Sequence, residues 1–206
     1  MEETVPTRLQ PAVPRTITLG RQILVCAAMC AAAVLIIALW FPHAAVATLS
    51  AGLSLPWQVA TGLLIGSALA VGTLLETRRA NQGASTRRTA ANYGRLDLRG
   101  WNPLWFALLA GFGEESLFRG ALQPLVGLWI ASLLFVLAHA RAYRFRTFDR
   151  TTLAQAFGLF ATSVALGLLA RFAGLPTAMI VHAAIDAAGL YAIRRMASMQ
   201  QLREST

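Results

Sequence analysis

Residues 22–75 read QILVCAAMCAAAVLIIALWFPHAAVATLSAGLSLPWQVATGLLIGSALAVGTLL, without one Arg, Lys, Asp or Glu. A helix needs roughly 20 apolar residues to cross a hydrocarbon core. The stretch therefore predicts two crossings, at Gln22–Phe41 and Trp57–Leu75, with Pro42 and Pro56 bracketing their connection. Toward the C-terminus four more apolar segments follow, at Pro103–Ala121, Leu125–Ala140, Thr152–Phe172 and Pro176–Ile193. Pro103, Pro124 and Pro176 stand at or near the starts of these spans, where a missing N–H costs least. The fold class read from this pattern is all-α, a polytopic transmembrane helix bundle of about six spans.

Composition points the same way. The chain is 56% hydrophobic and 13% charged over 206 residues, which sets it apart from an ordinary soluble domain. Its formal net charge of +9 comes from eighteen basic residues, all of them arginine. They lie between apolar segments rather than in one patch, so nucleic acid is not the expected partner. Arginines in loops beside apolar spans are read as orientation by the positive-inside rule and attraction to anionic lipid headgroups. With the N-terminus cytoplasmic, one side carries Arg8, Arg15, Arg21, Arg78, Arg79, Arg87, Arg88, Arg95, Arg99, Arg141, Arg144, Arg146, Arg150, Arg194, Arg195 and Arg203, and only Arg119 and Arg171 fall elsewhere. Hydropathy and arginine placement thus agree on an integral membrane protein with both termini cytoplasmic, and the arginine-only basic set and compact size make a prokaryotic plasma membrane the expected location.

Five regions follow: a flexible cytoplasmic N-terminal tail (1–21), a two-helix apolar hairpin (22–75), an arginine-rich cytoplasmic loop (76–102), a four-helix membrane domain (103–193) and a cytoplasmic C-terminal tail (194–206). Arg21 and Ala45-Val46-Ala47 imitate a secretory signal, but the apolar run between them is membrane-spanning in length and reads as an uncleaved first helix. Gly62, Gly66 and Ala70 form a small-residue stripe that lets helices approach. Cys26 and Cys30, one turn apart in the first span, read as small apolar residues. His43 beside Pro42 reads as an exposed loop residue.

The polar residues that need an explanation follow Gly100. The third span contains Gly113-Glu114-Glu115-Ser116-Leu117-Phe118-Arg119-Gly120, and each charge at such depth costs roughly 2.5–3.5 kcal/mol on the insertion scale. On a helix, Glu115 and Arg119 lie about 40° apart around the axis, whereas Glu114 and Arg119 lie about 140° apart. Glu115–Arg119 is therefore read as a structural ion pair that lowers the cost of burial. Glu114, on another face without an intrahelical cation, is the candidate acid or base. The fourth span adds Phe135-Val136-Leu137-Ala138-His139 and the sixth adds His182-Ala183-Ala184-Ile185-Asp186. Both are i, i+4 pairs, so three helices can bring polar side chains to one pocket near the membrane midplane.

The ordered set Glu-Glu-x-x-x-Arg, Phe-x-x-x-His and His-x-x-x-Asp on consecutive apolar segments resembles the CPBP family of intramembrane proteases, which includes CAAX prenyl endopeptidases and bacteriocin-processing or immunity proteins. The resemblance covers about Pro103 to Tyr191. It implies an intramembrane endopeptidase in which Glu114 activates a water with His139, while His182 and Asp186 stabilise the oxyanion. It leaves Glu115, Arg119 and Phe135 as site-supporting residues. Much of the family has Asn at the last motif position, and an ionised Asp186 would repel an oxyanion. Asp186 either stays protonated and donates, or orients His182; orientation is the favoured reading. Two His and a Glu also make a zinc set with an open position. No cofactor is favoured, because Glu114 can act as base without one, and zinc stands as the alternative. The expected partners are membrane lipids and a membrane-associated protein or peptide substrate. A non-catalytic binding, regulatory or immunity role is the competing function. A proton-relay transporter through Glu114, His139 and His182 is a third, although no inverted repeat or pair of broken helices favours it. Substrate and oligomeric state are not encoded in any motif.

Overall fold

The structure, a computed structural model, describes residues 16–40, 51–79, 93, 95–140, 143 and 149–204, with Arg79 and 200–204 described as helix path only. Residues 1–15 of the expected tail, the Ala45–Ala47 segment, His43 and much of the arginine-rich loop lie outside these residues, and the rest of that tail is not free, since Ile17 bridges to Leu96 and the first helix begins at Leu19. The elements are α1 (Leu19–Trp40), α2 (Leu55–Arg79), α3 (Asn102–Glu115), a π-helical segment (Ser116–Leu122), α4 (Gln123–Ala140), α5 (Arg150–Phe172) and α6 (Leu175–Glu204). An apolar chain in lipid must satisfy its own N–H and C=O groups, which the helix does within each segment. Leu24, Val34, Leu64, Trp129 and Phe157 point outward and are each more than 60% exposed, a surface suited to lipid and costly in water. The chain is an all-helical integral membrane protein.

Among the described residues, five continuous helices are long and apolar enough to cross a membrane. The third of them runs from Asn102 to Ala140 and folds on itself at Gly127, whose φ of 83° and ψ of 166° break the helix. A backbone with φ in that range is accessible to glycine and strained in other residues. Glu114 meets His139 and Phe118 meets Phe135 across this point, so the two arms run antiparallel and correspond to the third and fourth predicted spans. The sequence places the break near Pro124, whereas the helix continues to it without interruption. Pro124 follows a π segment whose closing bond, Gln123 N–H to Phe118 O, already has the wider i to i−5 register. The missing N–H of Pro124 is thus accommodated before the reversal.

Around this hairpin, α6 is the central helix. Half of its most apolar stretch is buried inside the protein, against 11–22% for the other four, and α2, α3 and α5 all pack on it. The small-residue stripe of α2 is where it meets α6: a Cβ on Gly66 would stand 2.9 Å from the Ala184 Cβ. The same device seats α3, because a Cβ on Gly111 would stand 2.9 Å from the Met179 carbonyl oxygen and 3.0 Å from Ala183 N. Gly111→Ala is expected to lower stability by about 1–3 kcal/mol through forced separation of these backbones. The thermal midpoint of the detergent-solubilised protein measures this.

The ends of the bundle are tied by polar contacts. At one end Gln58 Nε2 donates to Leu53 O at 2.7 Å, and Thr177 Oγ1 donates to Gln58 O at 3.0 Å. At the other, Ile17 N–H donates to Arg95 O at 2.7 Å and Asp97 N–H to Ile17 O at 3.1 Å, a single parallel bridge between Ile17 and Leu96. The Asp149 side chain caps α5 by accepting from Thr152 N–H at 2.7 Å, as an N-cap aspartate does. α6 continues well beyond the predicted Ile193. Nothing after Ile193 breaks a helix, and Arg194 Nη1 donates to Gly100 O at 2.7 Å, holding this extension to the turn before α3.

Candidate active site

The polar residues of α3, α4 and α6 converge. Glu115 has no exposed surface; its Oε1 accepts from Arg119 Nη1 at 2.7 Å and from His182 Nδ1 at 2.6 Å. Arg119 Nη2 also donates to Ser163 Oγ at 2.9 Å and Ser163 O at 3.0 Å on α5. The pair expected within one helix is therefore the centre of a network across α3, α5 and α6. A buried pair compensates its desolvation only when further hydrogen bonds satisfy it, and Ser163 and His182 supply them.

Glu114 points away from this network into a cavity of about 500 Å³, whose walls include Phe106, Leu159, Leu166, Ile185 and Leu190. Its Oε2 lies 3.5 Å from His139 Nε2 and 3.9 Å from His182 Nε2, and has no hydrogen-bond partner among the described residues. Both imidazoles are held by their other nitrogen. His139 Nδ1 is 2.9 Å from the Phe135 carbonyl oxygen, which can only accept, so Nδ1 carries the hydrogen and Nε2 faces Glu114. His182 Nδ1 donates to the Glu115 carboxylate, and its Nε2 likewise faces Glu114. Asp186 Oδ2 is 3.5 Å from that same Nε2, with its side chain 38% exposed. The hydrogen bond that sets the plane of His182 thus comes from Glu115, on another helix, and Asp186 stands at the reactive edge of the ring.

Glu114 lies about 18 Å along α3 from Asn102 at 1.5 Å per residue. The α4 arm after Gly127 is about 20 Å long by the same measure, so His139 at its end reaches the depth of Glu114. Tyr143 continues the four-residue ladder Phe135, His139, Tyr143, and the Tyr93 hydroxyl donates to its hydroxyl at 3.0 Å. Both tyrosines line the cavity. Burial pushes both phenols above the ordinary tyrosine value, and the carboxylates of Asp186 and Glu114 add to it. They therefore stay protonated as hydrogen-bond donors at neutral pH.

All seven residues singled out in the sequence, Glu114, Glu115, Arg119, Phe135, His139, His182 and Asp186, line one site or its immediate support. Ser163, Tyr93 and Tyr143 were not singled out. The ladder spacing of Tyr143 after Phe135 and His139 was a readable signal, whereas nothing local marks Ser163 or Tyr93. Among the described residues, no group of three or more His, Cys, Asp and Glu side chains has the arrangement of a metal-ligand set.

Helical packing and this site define a polytopic membrane protein with a carboxylate–imidazole centre enclosed by α3 to α6. Residues 98–188, which contain every residue of that centre, match the family model of type II CAAX prenyl endopeptidase Rce1-like proteins, to which this segment of the chain is similar. The chain is also similar to the uncharacterized protein YpbD of Bacillus subtilis (strain 168), 40% identical over 86 residues. That match spans 41% of this chain and 41% of the relative's length. No solved structure matches.

Proposed function

We propose that the protein is an intramembrane endopeptidase that hydrolyses a peptide bond of a membrane-associated protein or peptide. The observation that carries this reading is the unpartnered Glu114 Oε2, facing two imidazole Nε2 atoms at 3.5 and 3.9 Å. These distances are at or beyond the limit of direct hydrogen bonds, so Oε2 keeps its lone pairs free of described donors while the Glu114 side chain lines the cavity. The Rce1-like match over 98–188 supports the same reaction class.

In this mechanism Glu114 takes a proton from the water as its oxygen attacks the carbonyl carbon. His182 Nε2–H donates to the oxyanion that forms. To donate from both nitrogens the His182 ring carries two protons, and Glu115, Asp186 and Glu114 supply the countercharge. The proton on Glu114 passes through His139 Nε2 to the amine nitrogen as the C–N bond breaks. A preorganised oxyanion donor contributes about 10²- to 10³-fold. Asp186 then assists Glu115 in holding His182, from the Nε2 edge of the ring at 3.5 Å, rather than meeting the oxyanion itself. Replacing Asp186 with Asn preserves part of the activity under this assignment, and a folded but wholly inactive Asn variant would contradict it.

The arginine-rich side of the bundle is assigned to the cytoplasm by the positive-inside rule. The apolar cavity walls select apolar side chains around the scissile bond.

The test is proteolysis in vesicles of defined lipid with and without the purified protein, followed by mass spectrometry for new termini near membrane segments. New termini only in vesicles holding the protein support the assignment. Identical peptide profiles over a broad substrate set move it to a binding, regulatory or immunity role. A chelator arm separates the two chemistries: a glutamate-activated water predicts full activity in excess chelator, and loss restored by zinc overturns it.

A further inference from the structure

Phe135 touches three nitrogen-bearing groups of the site at once. Its ring stacks on the His139 imidazole with centroids 4.3 Å apart and planes at 28°. The Arg119 guanidinium carbon lies 4.7 Å from the ring centroid, and the His182 ring meets it edge-wise at 6.1 Å. The residue is 3% exposed. Apolar burial accounts for a phenyl group here, but a leucine would fill such a gap as well. An aromatic face adds a negative quadrupole potential that attracts a cation within about 6 Å of the centroid, more strongly once water is excluded.

His139 is the group on this ring whose charge changes in the proposed reaction. From α3 it faces Glu114 at 3.5 Å; from its own chain it faces Tyr143, with ring centroids 6.2 Å apart. His182 and Asp186 of α6 share its cavity, and from α5 Leu159 and Thr162 line it without charge. Its Nδ1 is fixed by the Phe135 carbonyl, so one residue holds the imidazole through its backbone and covers it with its ring.

We infer that Phe135 is a positioning residue whose ring face stabilises the His139 imidazole while it carries the proton passed from Glu114 to the leaving amine. The inference rests on the reading of Glu114 and His139 as the water-activating pair. The step is balanced within that reaction: His139 Nε2 gains one proton from Glu114 and loses it to the amine nitrogen as the C–N bond breaks. The ring contact with Arg119 does separate work, because that charge is permanent and bears on stability rather than on turnover.

The test replaces Phe135 with 4-fluoro-, 3,5-difluoro- and 3,4,5-trifluorophenylalanine, which keep the shape and apolar surface of the ring while draining its face of negative potential. The expected result is a stepwise fall in kcat at nearly constant KM, reaching about tenfold with three fluorines. Thermal midpoints of each variant are measured beside the rates. A flat kcat across the series with falling midpoints would show that the ring serves Arg119 alone, and the inference is wrong. Flat values of both would reduce Phe135 to packing and overturn the inference equally. If wild type itself releases no products, the peptidase reading fails and this inference falls with it, an outcome distinct from an active wild type with an insensitive series.

Discussion

Glu114→Gln is expected to lower kcat/KM by about 10²- to 10⁴-fold, the range a positioned base contributes, while leaving the protein folded. The substitution keeps the size of the side chain and removes its ability to take a proton. Glu114 is suited to this test because no ion pair within its own helix depends on it: Arg119 is engaged by Glu115 and Ser163. The nearest groups are the two Nε2 atoms at 3.5 and 3.9 Å, neither close enough for a strong direct bond. Cleavage of an identified substrate is followed by mass spectrometry, with thermal midpoints in parallel. An unchanged midpoint with lost turnover assigns Glu114 to chemistry. A Gln variant within a few-fold of wild type would remove it from the role of base and direct attention to His139 or a bound metal.

Arg119→Met is expected to have the opposite signature, with a loss of about 3–5 kcal/mol in stability. Arg119 is buried, its charge is neutralised by Glu115 at 2.7 Å, and its other amino group satisfies both the side chain and backbone of Ser163. Methionine fills much of the volume but leaves Glu115 with His182 as its only described partner and Ser163 with lost donors. The penalty arises mostly from the uncompensated carboxylate, so the double variant Glu115→Gln, Arg119→Met should recover part of the stability. It should not recover activity, because the same Glu115 oxygen holds His182 Nδ1 at 2.6 Å. Thermal midpoints of the three variants measure the coupling. Additive losses in the double variant would mean that the two residues act independently, contrary to their geometry.

These two signatures divide neighbouring carboxylates that differ in nothing but position along the chain. Consecutive residues on a helix are separated by about 100°, which sends Glu114 to the cavity and Glu115 to the interface of α3, α5 and α6. That division was legible from spacing alone: i, i+4 pairing of Glu115 with Arg119 needs no partner helix. The convergence of α3, α4 and α6 was legible only as an expectation, from polar residues that apolar helices could not leave facing lipid. Local spacing places Asp186 on the same face as His182, its i+4 neighbour, and can reveal only partners on the same helix. The bond to Glu115 crosses from α6 to α3 and exists because Gly111 lets those backbones approach.

The grouping of the seven site residues rested on the family that the three ordered motifs resemble; by itself the sequence determined that the chain carries membrane-crossing segments, where they lie, and which carboxylate is paired within its helix. Each of these follows from hydrophobic run length, helical period or the cost of burying charge, all properties of local chain. Only the tertiary structure decided where the hairpin reverses, which nitrogen of each histidine faces Glu114, that Ser163 completes the Arg119 network, and that Tyr93 and Tyr143 border the cavity. The reason is physical. Those features are contacts between residues distant in sequence, set by how closely glycine-bearing helix faces approach and by the reversal at Gly127, and the period of a single helix carries no record of them.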